Sequence, residues 1–343
     1  MKRTLFFLLT LLTINLNAQV TDVLTIGLAQ PTGLAISGNS LFIGEEGSNK
    51  ISKIDISLAV PVKTDVVTGV ASPDGLAISG TTLYIAEYDG GKISKIDISS
   101  PTPILTTVIT GVMEPTGIAI NGNDLYIAEY DAGKISKLDL TTLVITDFID
   151  NLSGPTGLAI SNNILYFSDF DDNFISKVDL TANVPVISQV ISGLDEPAFL
   201  SVAGSELYIA QYKPGTLSKI DIANPVINDV ATNLGGVYGL ANNGTYLFFS
   251  QRDSNKISKI ALPNLSTPNF DAGKRISIYP NPTSDFLTLD NVPSNSKIAI
   301  SDVNGRIMKQ FTYQKPTIDI QSLQKGIYFL TINKTETIKF IKN

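Results

Sequence analysis

Pro31-Thr32-Gly33-Leu34-Ala35-Ile36 returns as Pro73-Asp74-Gly75-Leu76-Ala77-Ile78, as Pro115-Thr116-Gly117-Ile118-Ala119-Ile120 and as Pro155-Thr156-Gly157-Leu158-Ala159-Ile160. Two looser copies follow, Pro197-Ala198-Phe199-Leu200-Ser201-Val202 and Val237-Tyr238-Gly239-Leu240-Ala241-Asn242. A second phrase, Ser-Lys, keeps the same step at Ser52, Ser94, Ser136, Ser176, Ser218 and Ser258, with spacings of 42, 42, 40, 42 and 40 residues. Self-similarity at such a period marks a repeat architecture, and the copies predict six structural units.

Each unit reads as four short strands, rich in β-branched and aromatic residues and divided by Gly, Asn, Asp and Pro. Helical periodicity is absent from these units, so the expected fold is all-β, a six-bladed β-propeller spanning residues 20–262. Inner strands converge on the axis of such a ring and leave room for little beyond Gly and Ala, as at Gly75 and Ala77. Leu76 and Ile78 alternate with them and are expected to pack between blades. The sixth unit runs into Leu262-Pro263 without a fourth strand, whereas Asp22-Val23-Leu24-Thr25-Ile26 precedes the first unit and resembles one. The N-terminal strand is therefore expected to close the ring by completing the sixth blade, which removes an open sheet edge. The pattern resembles NHL-type and TolB-like six-bladed propellers and, more loosely, the gluconolactonase and streptogramin lyase propellers. That resemblance speaks to architecture more than to function.

Composition narrows the chemistry. The chain has no cysteine, so its stability comes from packing, and no histidine, which removes His-assisted nucleophiles, His general bases and His-ligated zinc. The histidine that a streptogramin lyase would need is therefore missing. Residues 20–268 hold 13 Lys and Arg against 26 Asp and Glu, while residues 269–343 hold 10 against 6. An acidic body argues against nucleic acid as a partner. Lys2 and Arg3 precede an apolar run from Leu5 to Leu16 that ends near Ala18, which reads as a signal peptide over residues 1–18. The run is too short for a transmembrane span.

Residues 263–275 read as a Pro- and Asn-containing linker, and residues 276–343 as a small C-terminal β-sandwich with a different strand pattern. Its phrases carry Pro280, Asn281 and Pro282, then Asp302 and Gly305, then Gly326 and Tyr328. In this order they resemble the type A C-terminal sorting domain of the type IX secretion system of Bacteroidota. The resemblance implies the secretion machinery as a partner and a product secreted or attached to the outer surface of the outer membrane.

Every second strand ends in a polar residue in register: Glu45, Glu87, Glu129, Asp169, Gln211 and Gln251. In a closed ring they are expected to face one mouth, joined by Asp74, Glu114, Asp195 and Glu196. Tyr88, Tyr130, Phe170 and Tyr212 come next in sequence, with Glu46 and Arg252 breaking the pattern. Such a mouth suits a calcium-like cation, a sugar or a basic peptide. The competing reading is that each acid accepts hydrogen bonds from turn N–H groups of its own blade, which repetition in every unit favours. Positions where the units differ are then the better site candidates. The most divergent segment is Asp169-Phe170-Asp171-Asp172-Asn173-Phe174, which makes Asp169, Asp171 and Asp172 the metal candidates, although the glycine and distal glutamate of an EF-hand loop are absent. Phe199, in place of the inner-strand glycine, is a candidate to plug or line the channel.

The sequence points first to a non-enzymatic exported propeller that binds a ligand or protein partner at this mouth. The alternatives are a metal-dependent lactonase-like hydrolase, with calcium as the candidate cofactor, and a structural adhesion or matrix component.

Overall fold

The computed structural model of the chain describes residues 19–263 and 277–343, save 291, 293–295, 304 and 334–335. The signal peptide expected at 1–18, and residues 264–275 of the expected linker, lie outside the described residues. The chain divides into two compact units, one ending at Pro263 and one starting at Asn264.

The first unit is a closed ring of six four-stranded antiparallel sheets, a β-propeller. In blade one, β2 (Pro31–Ser37), β3 (Ser40–Glu45), β4 (Lys50–Asp55) and β5 (Thr64–Thr68) run outward from the axis in that order. Both faces of β3 are covered by neighbouring blades, so Leu41, Phe42 and Ile43 are all buried and the strand reads as a continuous apolar run. The outermost strand β5 is short and carries Thr and Asp, which limits pairing with foreign edges. Each cluster of buried residues spans two blades: Leu76, Leu83 and Ile85 of blade two pack with Ala35, Phe42 and Ile51 of blade one.

The N-terminal strand β1 (Thr21–Leu24) pairs with Lys256–Ala261, with Thr21 opposite Lys259 and Asp22 opposite Ser258. Ser258 donates to Asp22 at 2.6 Å, as Ser218 donates to Asp229 at 2.7 Å in blade five, so β1 reproduces the outer strand that the sixth repeat lacks. Innermost strands touch from blade to blade, and Pro31–Ser37 touches Val237–Asn242, which closes the ring.

A Lys-x-Asp pattern recurs from Lys53-x-Asp55 to Lys219-x-Asp221, with both side chains on one side of a strand, a spacing that predicts exposed ion pairs, but the two members pair elsewhere. Lys137 reaches Asp124 at 2.7 Å and Lys219 reaches Glu206 at 2.6 Å, each across to the adjacent strand. Asp55, Asp97 and Asp179 instead accept the backbone N–H and the hydroxyl of the residue two positions on. Those hydrogen bonds hold the three carboxyls below their ordinary pKa.

The second unit pairs Ser277–Tyr279, Phe286–Asp290 and Thr317–Asp319 in one sheet. A four-stranded sheet, Ile307–Thr312, Lys297–Asp302, Gly326–Ile332 and Glu336–Lys342, forms the other. Leu287, Leu289, Ile298, Ile300, Leu330 and Phe340 fill the space between them, a small sandwich. The motif residues act at its turns and edges. Asn281 accepts from the Ile341 N–H and donates to the Lys339 carbonyl, both at 3.0 Å. Its neighbours Pro280 and Pro282 follow cis peptide bonds. Asp302 accepts the Arg306 N–H at 2.9 Å across a turn in which Gly305 has φ of +80°, a conformation that favours glycine. Tyr328, two residues into the strand that Gly326 opens, stacks on Phe340 and donates to the Gln324 carbonyl.

Candidate functional site

The structure places the in-register acids away from the mouth. Glu45, Glu87, Glu129 and Asp169 are buried inside their blades and do not line the central cavity. Each accepts a backbone N–H sixteen residues upstream: Glu45 from Ala29 at 3.1 Å, Glu87 from Ala71 at 2.7 Å, Glu129 from Met113 at 2.8 Å and Asp169 from Ser153 at 2.9 Å. Gln211 and Gln251 take the same bond from Asp195 and Gly235, and their amides donate to Ser218 and Ser258 at 2.7 Å. Where the residue is an acid the direction reverses, and the buried serine of the Ser-Lys phrase donates to it, Ser94 to Glu87 and Ser136 to Glu129. Successive side chains on an extended strand point to opposite sides, so Glu87 turns into the blade and Tyr88 turns out to the mouth.

This assignment predicts an asymmetry. Glu129→Gln keeps an acceptor for Met113 and reverses the bond to Ser136, as in blades five and six, where the serine hydroxyl donates instead to an outer-strand aspartate. Asp147 stands opposite Ser136, so the variant should stay within about 1 kcal/mol of the parent. Glu129→Ala strands the buried N–H and hydroxyl and should cost roughly 2–4 kcal/mol by urea denaturation.

Asp169, Asp171 and Asp172, the candidate metal ligands, have separate engagements. Asp169 accepts the N–H groups of Ser153, Gly154 and Asp172, Asp171 accepts the Tyr130 hydroxyl, and Asp172 accepts the Ser153 hydroxyl. Among the described residues no three acidic side chains gather as a metal site would require.

The mouth itself holds a cavity of about 290 Å³. Tyr88, Tyr130, Phe170 and Tyr212 line it together with Asp74, Glu46 and Arg252, and the structure adds Tyr238. Most of the rim is tied to the following blade: Tyr88 donates to Glu114, Tyr130 to Asp171 at 3.1 Å and Tyr212 to Asp253 at 2.9 Å. Arg252 donates to Glu46 through Nε at 2.8 Å, with Nη2 at 2.7 Å from the same oxygen. Glu196 pairs with Lys213 on the rim. Phe199 lies beneath, buried, with its ring 5.3 Å from that of Tyr238.

Electrostatics in the cavity follow from burial. Burial and the acceptor Asp171 push the Tyr130 phenol up to about 12, and burial with Glu114 raises Tyr88. Burial works against the Arg252 charge, yet the Glu46 carboxylate overcomes it and the guanidinium pKa is raised. Asp74 is 5% exposed. Burial pushes its carboxyl up to about 7 although the Tyr238 hydroxyl, 3.1 Å away, favours the charged form. Tyr238 was the residue that the sequence reading missed. Its signal is the position before the inner-strand glycine, which runs Thr32, Asp74, Thr116, Thr156, Ala198, Tyr238 around the ring.

Residues 277–343 match the family described as a secretion system C-terminal sorting domain. The chain carries a sorting domain. It is therefore an exported protein, secreted or held at the cell surface, and the type IX secretion machinery is the partner of this domain. Among the described residues no helix is long and apolar enough to cross a membrane. No curated protein sequence matches the chain. In structure it is similar to a gluconolactonase from Xanthomonas campestris, at 13% identity and a TM-score of 0.61 over 72% of this chain and 90% of that one. It is similar to the calcium-binding protein regucalcin from Agrobacterium tumefaciens, at 14% and 0.60 over 71% and 93%. Virginiamycin B lyase from Staphylococcus aureus gives 17% and 0.54 over 71% and 99%. At these identities the likeness is one of fold.

Proposed function

We propose that this protein is an exported propeller that binds a small ligand in its mouth cavity, with Tyr88, Tyr130, Phe170, Tyr212, Tyr238 and Asp74 as the contact residues. The observation that carries the reading is a concave, aromatic-walled cavity built where the blades differ, with convergent polar groups at its base. Its volume of about 290 Å³ suits a small molecule better than a peptide. The acids that a lactonase-like or calcium-dependent mechanism would draw on, Glu45, Glu87, Glu129 and Asp169, are engaged with backbone N–H groups, which favours binding over hydrolysis. Residues 1–18 serve as the signal peptide and residues 263–275 as the linker in this reading. Kinship with NHL-type and TolB-like propellers is supported by the repeat spacing of 40 to 42 residues.

The test is a thermal-shift screen of the full chain against sugars, amines and amino acids, with Tyr130→Ala and Phe170→Ala alongside. A ligand of the mouth should bind about 5- to 30-fold more weakly to both variants, since each ring contributes roughly 1–2 kcal/mol of contact. Ligands that bind both variants as well as the parent would move the site elsewhere.

A further inference from the structure

We propose that the mouth cavity takes a small organic amine, held as its ammonium ion with Asp74 as counter-ion and the aromatic rings as walls, an inference that rests on the mouth being the binding site.

Asp74 stands where blades one, three and four carry threonine. Thr32 and Thr116 use their hydroxyls to donate to the Pro73 and Pro155 carbonyls of the next blade, at 2.5 and 3.0 Å, a bond that an ionised carboxylate has no proton to make. The scaffold is thus served by threonine, and Asp74 is the exception. Its Oδ2 accepts from Tyr238, while Oδ1 is buried and has no hydrogen-bond partner among the described residues. A buried carboxylate with one oxygen unserved calls for a donor that brings positive charge.

Arg252 does not fill that role, because Glu46 takes its Nε and Nη2 and the Tyr212 hydroxyl takes its Nη1 at 3.2 Å. Glu46 and Arg252 cancel, which leaves Asp74 as the uncompensated charge among the residues lining the cavity. The walls suit a cation as well. Tyr130 and Phe170, Phe170 and Tyr212, and Tyr212 and Tyr238 have ring centroids 6.4, 6.4 and 5.9 Å apart, a continuous aromatic arc whose faces attract positive charge. At about 30 Å³ per water-sized group, the volume holds a ligand of about ten non-hydrogen atoms.

Binding should be linked to protons. The groups facing Asp74 are Tyr238 from the inner strand of blade six, with Glu46 and Arg252 from the rim. With the free carboxyl titrating at about 7, an ammonium ion that favours the ionised form displaces close to one proton at pH 6 and little at pH 8. Amine affinity should therefore rise about tenfold from pH 6 to pH 8.

Calorimetry of the full chain with benzylamine and cyclohexylamine, both ammonium ions throughout pH 6 to 8, against benzyl alcohol and cyclohexanol as neutral counterparts, tests the inference. At pH 8 the amines should bind at least tenfold more tightly than the neutral probes. Their heats at pH 6 should vary with the ionisation enthalpy of the buffer, and Asp74→Thr should abolish the preference. That variant installs the side chain that three other blades carry, and its melting curve checks that it folds. Equal binding of neutral probes and amines, or an unchanged preference in Asp74→Thr, overturns the amine assignment and leaves the mouth as the site. Absence of binding by all four probes overturns the amine assignment as well, and the wider ligand screen with Tyr130→Ala then decides whether the mouth binds anything.

Discussion

Replacing Gly117 with alanine should cost the propeller more than about 3 kcal/mol and lower its melting temperature by roughly 10 °C. A Cβ at this position would lie 2.1 Å from the Thr156 carbonyl oxygen, 3.0 Å from the Leu158 nitrogen and 3.2 Å from the Gly157 Cα. All three are backbone atoms of the next blade, fixed by that blade's own sheet, so no side chain can swing aside. The same contact recurs around the axis, where a Cβ on Gly33, Gly75, Gly157 or Gly239 would come within 2.0 to 2.2 Å of a neighbouring carbonyl oxygen. A closed ring spreads the damage, since separating one joint by an ångström or more forces the other joints to open or the sheets to tilt. Close-packed interiors resist such shifts. Circular dichroism melts of Gly117→Ala against the parent measure the effect. A variant that melts within about 2 °C of the parent would mean that the inner strands have room to spare and that the glycine repeat has another cause.

That glycine repeat is also why the fold is readable in the sequence. A residue dictated by backbone approach recurs in five of the six blades, Phe199 being the exception, and so it leaves a periodic mark. The closing strand was readable for a similar reason, because Asp22 must present to Ser258 the carboxylate that Asp229 presents to Ser218. The site was readable only in part. Tyr88, Tyr130, Phe170 and Tyr212 were expected at the mouth and line the cavity there. Glu45, Glu87, Glu129 and Asp169 were expected either beside them or, as their repetition favours, on turn N–H groups, where they are found; sequence register shows that these residues are equivalent without showing which side of the pleat each takes. Their acceptors' duty lies sixteen residues upstream, in turns whose N–H groups carry no side-chain signature. Tyr238 and Asp74 meet only because the ring closes, bringing together residues 164 apart in sequence. The departures from the repeat gather in the cavity lining: Asp74 among threonines, Tyr238 at the same position, and Glu46 and Arg252 where blades two to five have tyrosine or phenylalanine.

Asp74→Asn should change the pH dependence of stability more than any other single substitution at the mouth. Burial holds the folded-state carboxyl at about 7, against the ordinary aspartate value of 3.8. The native protein therefore binds more protons than the unfolded chain between roughly pH 4 and pH 7, and stability falls as pH rises through that window. At 1.36 kcal/mol per pH unit the loss reaches roughly 4 kcal/mol, fully expressed above pH 7 and absent below about pH 4. Asparagine keeps an acceptor for the Tyr238 hydroxyl and does not titrate. Its amide N–H needs a new partner, a fixed penalty of about 1–3 kcal/mol that does not vary with pH. The informative quantity is thus the difference between variant and parent, in which every other titrating group cancels to first order. Urea denaturation from pH 4 to pH 8 should show the variant gaining roughly 4 kcal/mol on the parent across the range, whatever its offset at pH 4. Parallel profiles would mean that the Asp74 charge is compensated in the folded protein, and the cavity would then lose the unbalanced carboxylate on which its preference for a cation depends.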